Sequence, residues 1–104
     1  MKEQDIIRII ANNLTLAGGD DVGVGLFDDV DNYKYWGFSC TTNKAGTLEV
    51  QYSHDNITWN LLDTFPVTGN KDQVYKKTRR YYLAVFTDTS MVQSTVDLST
   101  IKGE

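Results

Sequence analysis

Thr47-Leu48-Glu49-Val50-Gln51-Tyr52-Ser53 alternates without interruption, with Leu48, Val50 and Tyr52 on one side and Thr47, Glu49 and Gln51 on the other. A period of two fits an extended chain, whose successive Cβ atoms point to opposite faces of a sheet. One such face packs in a core while the other meets water. The same period runs through residues 33–41, where Trp36, Phe38 and Cys40 fall together. It returns in residues 91–101, where Val92, Ser94, Val96 and Leu98 oppose Gln93, Thr95, Asp97 and Ser99. Asn43-Lys44-Ala45-Gly46, between the first two runs, reads as a hairpin turn. Further strands are expected at residues 22–27, at 59–62 and around 73–75, with turns at 18–21, 28–32, 54–56 and 68–71. Twelve threonines and six tyrosines agree with strands. About seven to eight short strands at this spacing imply an all-β fold, a single antiparallel β-sandwich of the jelly-roll-like kind. Its core is expected to hold Trp36, Phe38, Leu48, Val50, Tyr52, Trp59, Val85, Val96 and Leu98.

Two segments exceed what one small core needs. In residues 80–87, Tyr81, Leu83 and Val85 face one way and Tyr82, Ala84 and Phe86 the other, so both faces are apolar. A strand between two layers has this pattern, and so does one whose outer face meets another subunit. The charges at residues 76–80 and at Asp88 are common guards beside such a strand. The second segment is residues 1–15. Ile6, Ile9 and Ile10 fit a helical stripe, but four isoleucines favour extended structure. The reading taken is an N-terminal edge strand or arm, with a short helix as the alternative, ahead of a sandwich domain at 16–104. Such an arm could dock on a neighbouring copy. Ile6, Ile7, Ile9, Ile10, Tyr81 and Tyr82 are therefore the interface candidates.

Composition limits the chemistry. The 104 residues match one domain. One cysteine and one histidine cannot supply an internal disulfide or a four-ligand zinc site. No catalytic triad follows from Ser53-His54-Asp55, because neighbours on a strand point apart. Cys40 reads as a small core residue. Asp28-Asp29-Val30-Asp31-Asn32 lacks the EF-hand spacing and reads as a turn, so no metal or other cofactor is expected. No apolar run approaches the roughly 18–20 residues that cross a bilayer. Acids stand where a signal peptide would have its basic region, so synthesis in a cytoplasm and no membrane partner are expected. The basic run 76–80 lies in an acidic chain without a recognition motif, which argues against nucleic acid. No enzyme activity is expected. Residues 1–40 carry a net charge of −4, residues 41–70 of −2 and residues 71–104 of +2, an asymmetry that could favour head-to-tail contacts between copies.

The aromatics are the more informative surplus. Exposed tyrosines can stack on sugar faces or anchor protein interfaces. Tyr33, Tyr35 and Tyr81 are the candidates for a glycan platform.

The order of these segments resembles a family. Val30-Asp31-Asn32-Tyr33 and the strand after it lead to Gly46-Thr47-Leu48-Glu49-Val50-Gln51-Tyr52-Ser53-His54-Asp55 and then Trp59. Next come Arg80-Tyr81-Tyr82-Leu83-Ala84-Val85-Phe86-Thr87-Asp88 and Gln93-Ser94-Thr95-Val96-Asp97-Leu98-Ser99-Thr100-Ile101. Over residues 16–101 this is similar to small β-sandwich virion proteins of bacteriophages and related viruses. Asn56 stands where glycine is common in that pattern, and Asp88-Thr89 where an asparagine-glycine pair is common. The resemblance implies a capsid decoration, cement, head-fibre or tail-associated subunit located in the virion. Its partners would be copies of itself and the major capsid or other virion proteins, and no catalytic residues come with it. The alternative function is a carbohydrate-binding sandwich that attaches to host glycans.

Overall fold

The computed structural model describes residues 5–104; residues 1–4 of the expected arm lie outside the described residues. The described chain forms seven antiparallel strands: β1 (Ile6–Leu16), β2 (Asp21–Val22), β3 (Asp28–Asp29), β4 (Tyr35–Ser53), β5 (Asn60–Lys76), β6 (Tyr81–Asp88) and β7 (Ser94–Gly103). No helix occurs among the described residues.

The expected hairpin at residues 43–46 is instead a bend inside β4. Thr42 pairs with Gly69 and Gly46 with Val67, so three residues of β4 oppose Thr68 alone. The surplus bends the strand without ending it, as a bulge does. The turn expected at 68–71 is absorbed the same way, with Gly69 at φ 91° within a continuous β5. β5 follows β4 along one edge through both halves. On the other edge, β7 pairs with residues 35–42 and β6 with residues 46–53. The ladder therefore folds at the bend into two layers. One layer contains β1, β7 and the first half of β4, and the other contains the second half of β4, β6, β2 and β3. The shortest dimension, 17 Å, fits two packed sheets. Gly46 is required at the bend, because a Cβ there would run into the Phe86 ring.

The strand expected at residues 22–27 is shorter than its pattern. Only Asp21 and Val22 pair with β6; Gly23 (φ 103°) and Gly25 (φ 73°) then leave the strand conformation, and pairing resumes at Asp28.

Trp36 lies at the centre of the core, with none of its surface exposed. Its ring stacks on Tyr82 of the opposite layer (5.3 Å, 14°) and on Tyr75 (6.1 Å, 26°). The indole N–H donates to Asp28 Oδ2 at 2.8 Å, and Arg8 approaches Asp28 Oδ1 at 3.5 Å. Phe38, Cys40, Leu48, Val50, Val96 and Leu98 join it in the core cluster, Tyr52 packs against it half-buried, and Val85, also expected there, is buried on the other face of β6 outside the cluster. Trp59 does not join them. It follows a turn in which Ser53 Oγ donates to Asp55 Oδ1 (3.0 Å) and accepts the Asn56 N–H (2.9 Å). Asp55 Oδ1 also accepts the N–H groups of Ile57 and Thr58, each at 2.9 Å. Asn56 at φ 60° takes the left-handed corner, and the chain emerges with Trp59 half-buried outside the core cluster.

Three outcomes follow from this packing. Trp36→Phe keeps an aromatic ring but leaves the Asp28 carboxylate without its donor, and is expected to cost about 1–3 kcal/mol in urea unfolding. Burial, with the Asp72 and Asp97 charges, pushes the Cys40 thiol up to about 12. Native protein at pH 8 should therefore resist iodoacetamide and be alkylated only once denatured. The Thr58 and Ile57 N–H groups hold the Asp55 carboxyl below its ordinary value of 3.8. A lowered folded value gives stability that is present above the unfolded value and lost as pH falls through the folded one. Wild type should exceed Asp55→Asn in melting temperature at pH 7, and the two should converge below the ordinary carboxylate range.

Candidate functional site: two apolar sheet faces

The outer face of the first layer is built in rows by strand register. Ile7, Ile101, Gly37 and Val74 lie side by side across β1, β7, β4 and β5, and Ile9, Ser99, Ser39 and Asp72 form the next row. Ile7 and Ile9 are 66% and 67% exposed, and Val74 is 58% exposed. Gly37 keeps the floor of this face flat, because a Cβ there would lie 2.6 Å from the Gln73 carbonyl oxygen. Two shallow depressions open onto the face, one of about 170 Å³ beside Ile7 and Ile101 and one of about 190 Å³ beside Ile9 and Asp97. Pockets for small organic ligands run to about 300–1,000 Å³. These depressions suit side chains of a partner better than a whole ligand.

The outer face of the second layer is aromatic. Phe27 meets Tyr81 edge-on at 5.6 Å and lies 6.2 Å from Trp59. Arg80 is held beside them by a two-pronged contact to Asp29, with Nε to Oδ1 at 3.1 Å and an Nη to Oδ2 at 2.9 Å, and its guanidinium lies 5.2 Å from the Tyr81 ring centre. That contact lowers the Asp29 carboxyl below its ordinary value. Leu83 and Val85 follow Tyr81 on the same face and are buried, while Leu61, in register with Gln51 and Leu83, is 57% exposed.

These positions separate the sequence candidates. Ile6, Ile7 and Ile9 are exposed on β1, but Ile10 is half-buried against the core. Tyr82 is not a surface residue. It is 1% exposed, stacked on Trp36, and its hydroxyl accepts the N–H groups of Thr78 and Arg79. Of two neighbouring tyrosines on a strand, only one can face the core, and here Tyr81 is the outer one. Tyr33, Tyr35 and Tyr81 do not form one platform. Tyr33 packs against the core, with the Lys102 amine 4.8 Å from its ring centre. Tyr35 faces outward from the first layer, and its hydroxyl is tied to Asp5, a contact that raises its pKa. Tyr81 faces outward from the second layer. Phe27 and Trp59, absent from the sequence candidates, are its actual neighbours. Their signal in the sequence was weak because glycine turns precede one and the Asp55 turn precedes the other.

The acidic segment 28–31 has structural work. Asp28 holds Trp36, Asp29 holds Arg80 and supplies its backbone carbonyl to Lys102, and Lys77 reaches the Val30 carbonyl. Part of the acidic front and part of the basic back thus meet at the β3 end of the sandwich, while Asp20 and Asp21 lie beside Thr87 and Asp88 near the bend. Among the described residues, no three His, Cys, Asp or Glu side chains converge as metal ligands. His54 is exposed in the turn, while Ser53 is buried and bonded to Asp55.

No protein-family model matches the sequence, and no curated protein does. Solved structures do match the fold. The phage PBSX exported protein XepA superposes with a TM-score of 0.77 at 18% identity over 94% of this chain, which spans 37% of the length of XepA. A subunit of the Bacillus endospore appendages, described as disulfide-linked pili, gives 0.53 at 15% identity over 99% of this chain and 92% of its own. The CBM36-1 domain of a multidomain xylanase from the hindgut metagenome of Trinervitermes trinervoides gives 0.53 at 11% identity, covering 97% of this chain and 98% of that domain. At these identities the likeness is one of fold: this chain is a small antiparallel β-sandwich.

Proposed function

We propose that this protein is a non-enzymatic structural subunit of a virion, of the capsid decoration, cement or head-fibre kind. In this reading it acts by binding copies of itself and the major capsid or another virion protein. The observation that carries the reading is the outer face of the first layer, where Ile7 and Ile9 stand two-thirds exposed beside Ile101 and Val74 on a rigid sandwich. Grouped apolar side chains of this kind mark interaction surfaces. On a repeating lattice, weak single contacts add up. The likeness in fold to a phage exported protein and to an appendage subunit supports a place outside the cell or in a particle. The carboxylates and cations at the β3 end hold the fold together, which leaves apolar contact as the main resource for binding.

The Phe27–Trp59–Tyr81 cluster favours a second reading, a sandwich that stacks sugar rings on aromatic faces. The likeness in fold to a carbohydrate-binding module supports it.

Mass spectrometry of purified particles should find this chain in many copies, and sedimentation of the pure protein should show mass rising with concentration. Ile7→Lys with Ile9→Lys should reduce both while changing stability by about 0.5 kcal/mol or less, because both side chains are exposed. A chain that stays monomeric at high concentration and is absent from particles overturns the structural reading. A glycan-array signal removed by Trp59→Ala and Tyr81→Ala would establish the second.

A further inference from the structure

An antiparallel sheet that is not closed has edges, and each edge offers unpaired N–H and C=O groups to any strand that can lie beside it. Among the described residues this sandwich has three. The longest is β5, which carries Asp63, Pro66, Lys71, Asp72 and Lys76 along its length and is interrupted at Gly69 by a positive φ. Charge, proline and irregularity are the usual means of blocking such an edge. The second edge is β2 and β3, two residues each, too short to template a partner. The third is β1, whose stretch from Ile6 to Ile10 has neither proline nor glycine and a single charge, Arg8. Arg8 is the one guard on this stretch, and it is held within its own chain: one Nη donates to the Phe27 carbonyl oxygen at 2.8 Å and lies 3.5 Å from Asp28. From Ile6 to Ile9 the strand is regular against β7, and its first irregularity falls between Ile9 and Ala11.

We propose that β1 is the contact between copies, pairing antiparallel with β1 of a second copy across a twofold axis at Arg8. This deepens the self-association reading above and rests on it. The edge itself selects a second copy as the occupant. An added strand must present alternating apolar residues and an open edge of matching length, and β1 is the one described edge of this chain that does so. In this register Arg8 stands opposite Arg8 of the second copy, and each of the two like charges is offset by Asp28 of its own chain at 3.5 Å. In this register Ile7 lies opposite Ile9 of the second copy, and the row of Ile7, Ile101 and Val74 continues across the axis. Such an interface is isologous, the commonest kind in homo-oligomers. A contact this short falls at the small end of specific interfaces, below about 1,200 Å² in total, so the isolated pair is weak and gains strength in a lattice.

Cysteine pairing tests the register. The cysteine-bearing chains are Ile7→Cys, Ile9→Cys and, as a control on the β5 edge, Val74→Cys; the native Cys40 is buried and does not compete. Opposed residues in an antiparallel pair stand about 4.5–5.5 Å apart at Cα, within disulfide reach. Mild oxidation of an equal mixture of Ile7→Cys and Ile9→Cys should give covalent dimer at roughly tenfold or more the yield of either alone or of Val74→Cys, because residues offset by two positions lie farther apart. Circular dichroism melting of each variant should match wild type. If Val74→Cys crosslinks and the mixture does not, the β1 seam is wrong while self-association stands. If no variant crosslinks and wild type sediments as a monomer at high concentration, both fall.

Discussion

The hydrogen bond from the Trp36 indole to the Asp28 carboxylate is the interaction on which the arrangement of both layers depends. A carboxylate that is 8% exposed needs partners, since the cost of removing it from water is offset only by close donors. Trp36 supplies one and Arg8 a second, more distant charge. Through this bond and the Tyr82 and Tyr75 stacks, a single side chain on β4 engages β3, β5 and β6, and Asp28 extends the link to Arg8 of β1. The two ends of the sandwich are consequently held by different means. The far end is continuous through the bends of β4 and β5, while at the Trp36 end the connections 30–34 and 77–80 cross between the layers, tied by the Lys77 N–H to the Lys34 carbonyl, and Trp36 packs beneath them.

That division determines what is left for binding. The ionic groups around residues 28–31 and 77–80 are used in closing the Trp36 end, Asp29 with Arg80 being the clearest case. Each outer face carries an apolar patch beside polar groups, Ile7, Ile101 and Val74 next to a Ser99–Ser39–Asp72 row on one layer and Phe27, Trp59 and Tyr81 next to the Arg80–Asp29 pair on the other. The same sequence thus offers two chemically different surfaces on opposite sides of a thin block. The aliphatic one lies next to an open strand edge and the aromatic one next to guarded or very short edges. This difference is the physical basis for placing self-association on the first and for considering sugar stacking on the second.

Much of the fold was legible residue by residue. The period of two placed Trp36, Phe38, Leu48, Val50, Val96 and Leu98 on buried faces, and all are buried. It failed where local pattern has no information about pairing. Asn43-Lys44-Ala45-Gly46 looks like a turn because those residues favour turns, yet β5 runs beside it in register and carries the strand through. Trp59 looks like core because tryptophan usually is, yet the turn held by Ser53 and Asp55 delivers it outside the core cluster. Tyr81 and Tyr82 were indistinguishable in sequence. Pairing of Tyr52 with Tyr82 and the stack on Trp36 chose the inner one.

The sequence by itself determined strand content, the identity of most core positions and the scarcity of groups for chemistry. Those properties follow from side-chain type and nearest-neighbour spacing. The tertiary structure alone decided which face of β6 is inside, that an apparent hairpin and an apparent turn lie within two long bent strands, that Asp29 and Arg80 meet across the sequence, and that the Ile6–Ile9 stretch of β1 is a regular open edge. Each of these depends on pairing between residues tens of positions apart, where the register of one strand fixes the exposure of every side chain on the next.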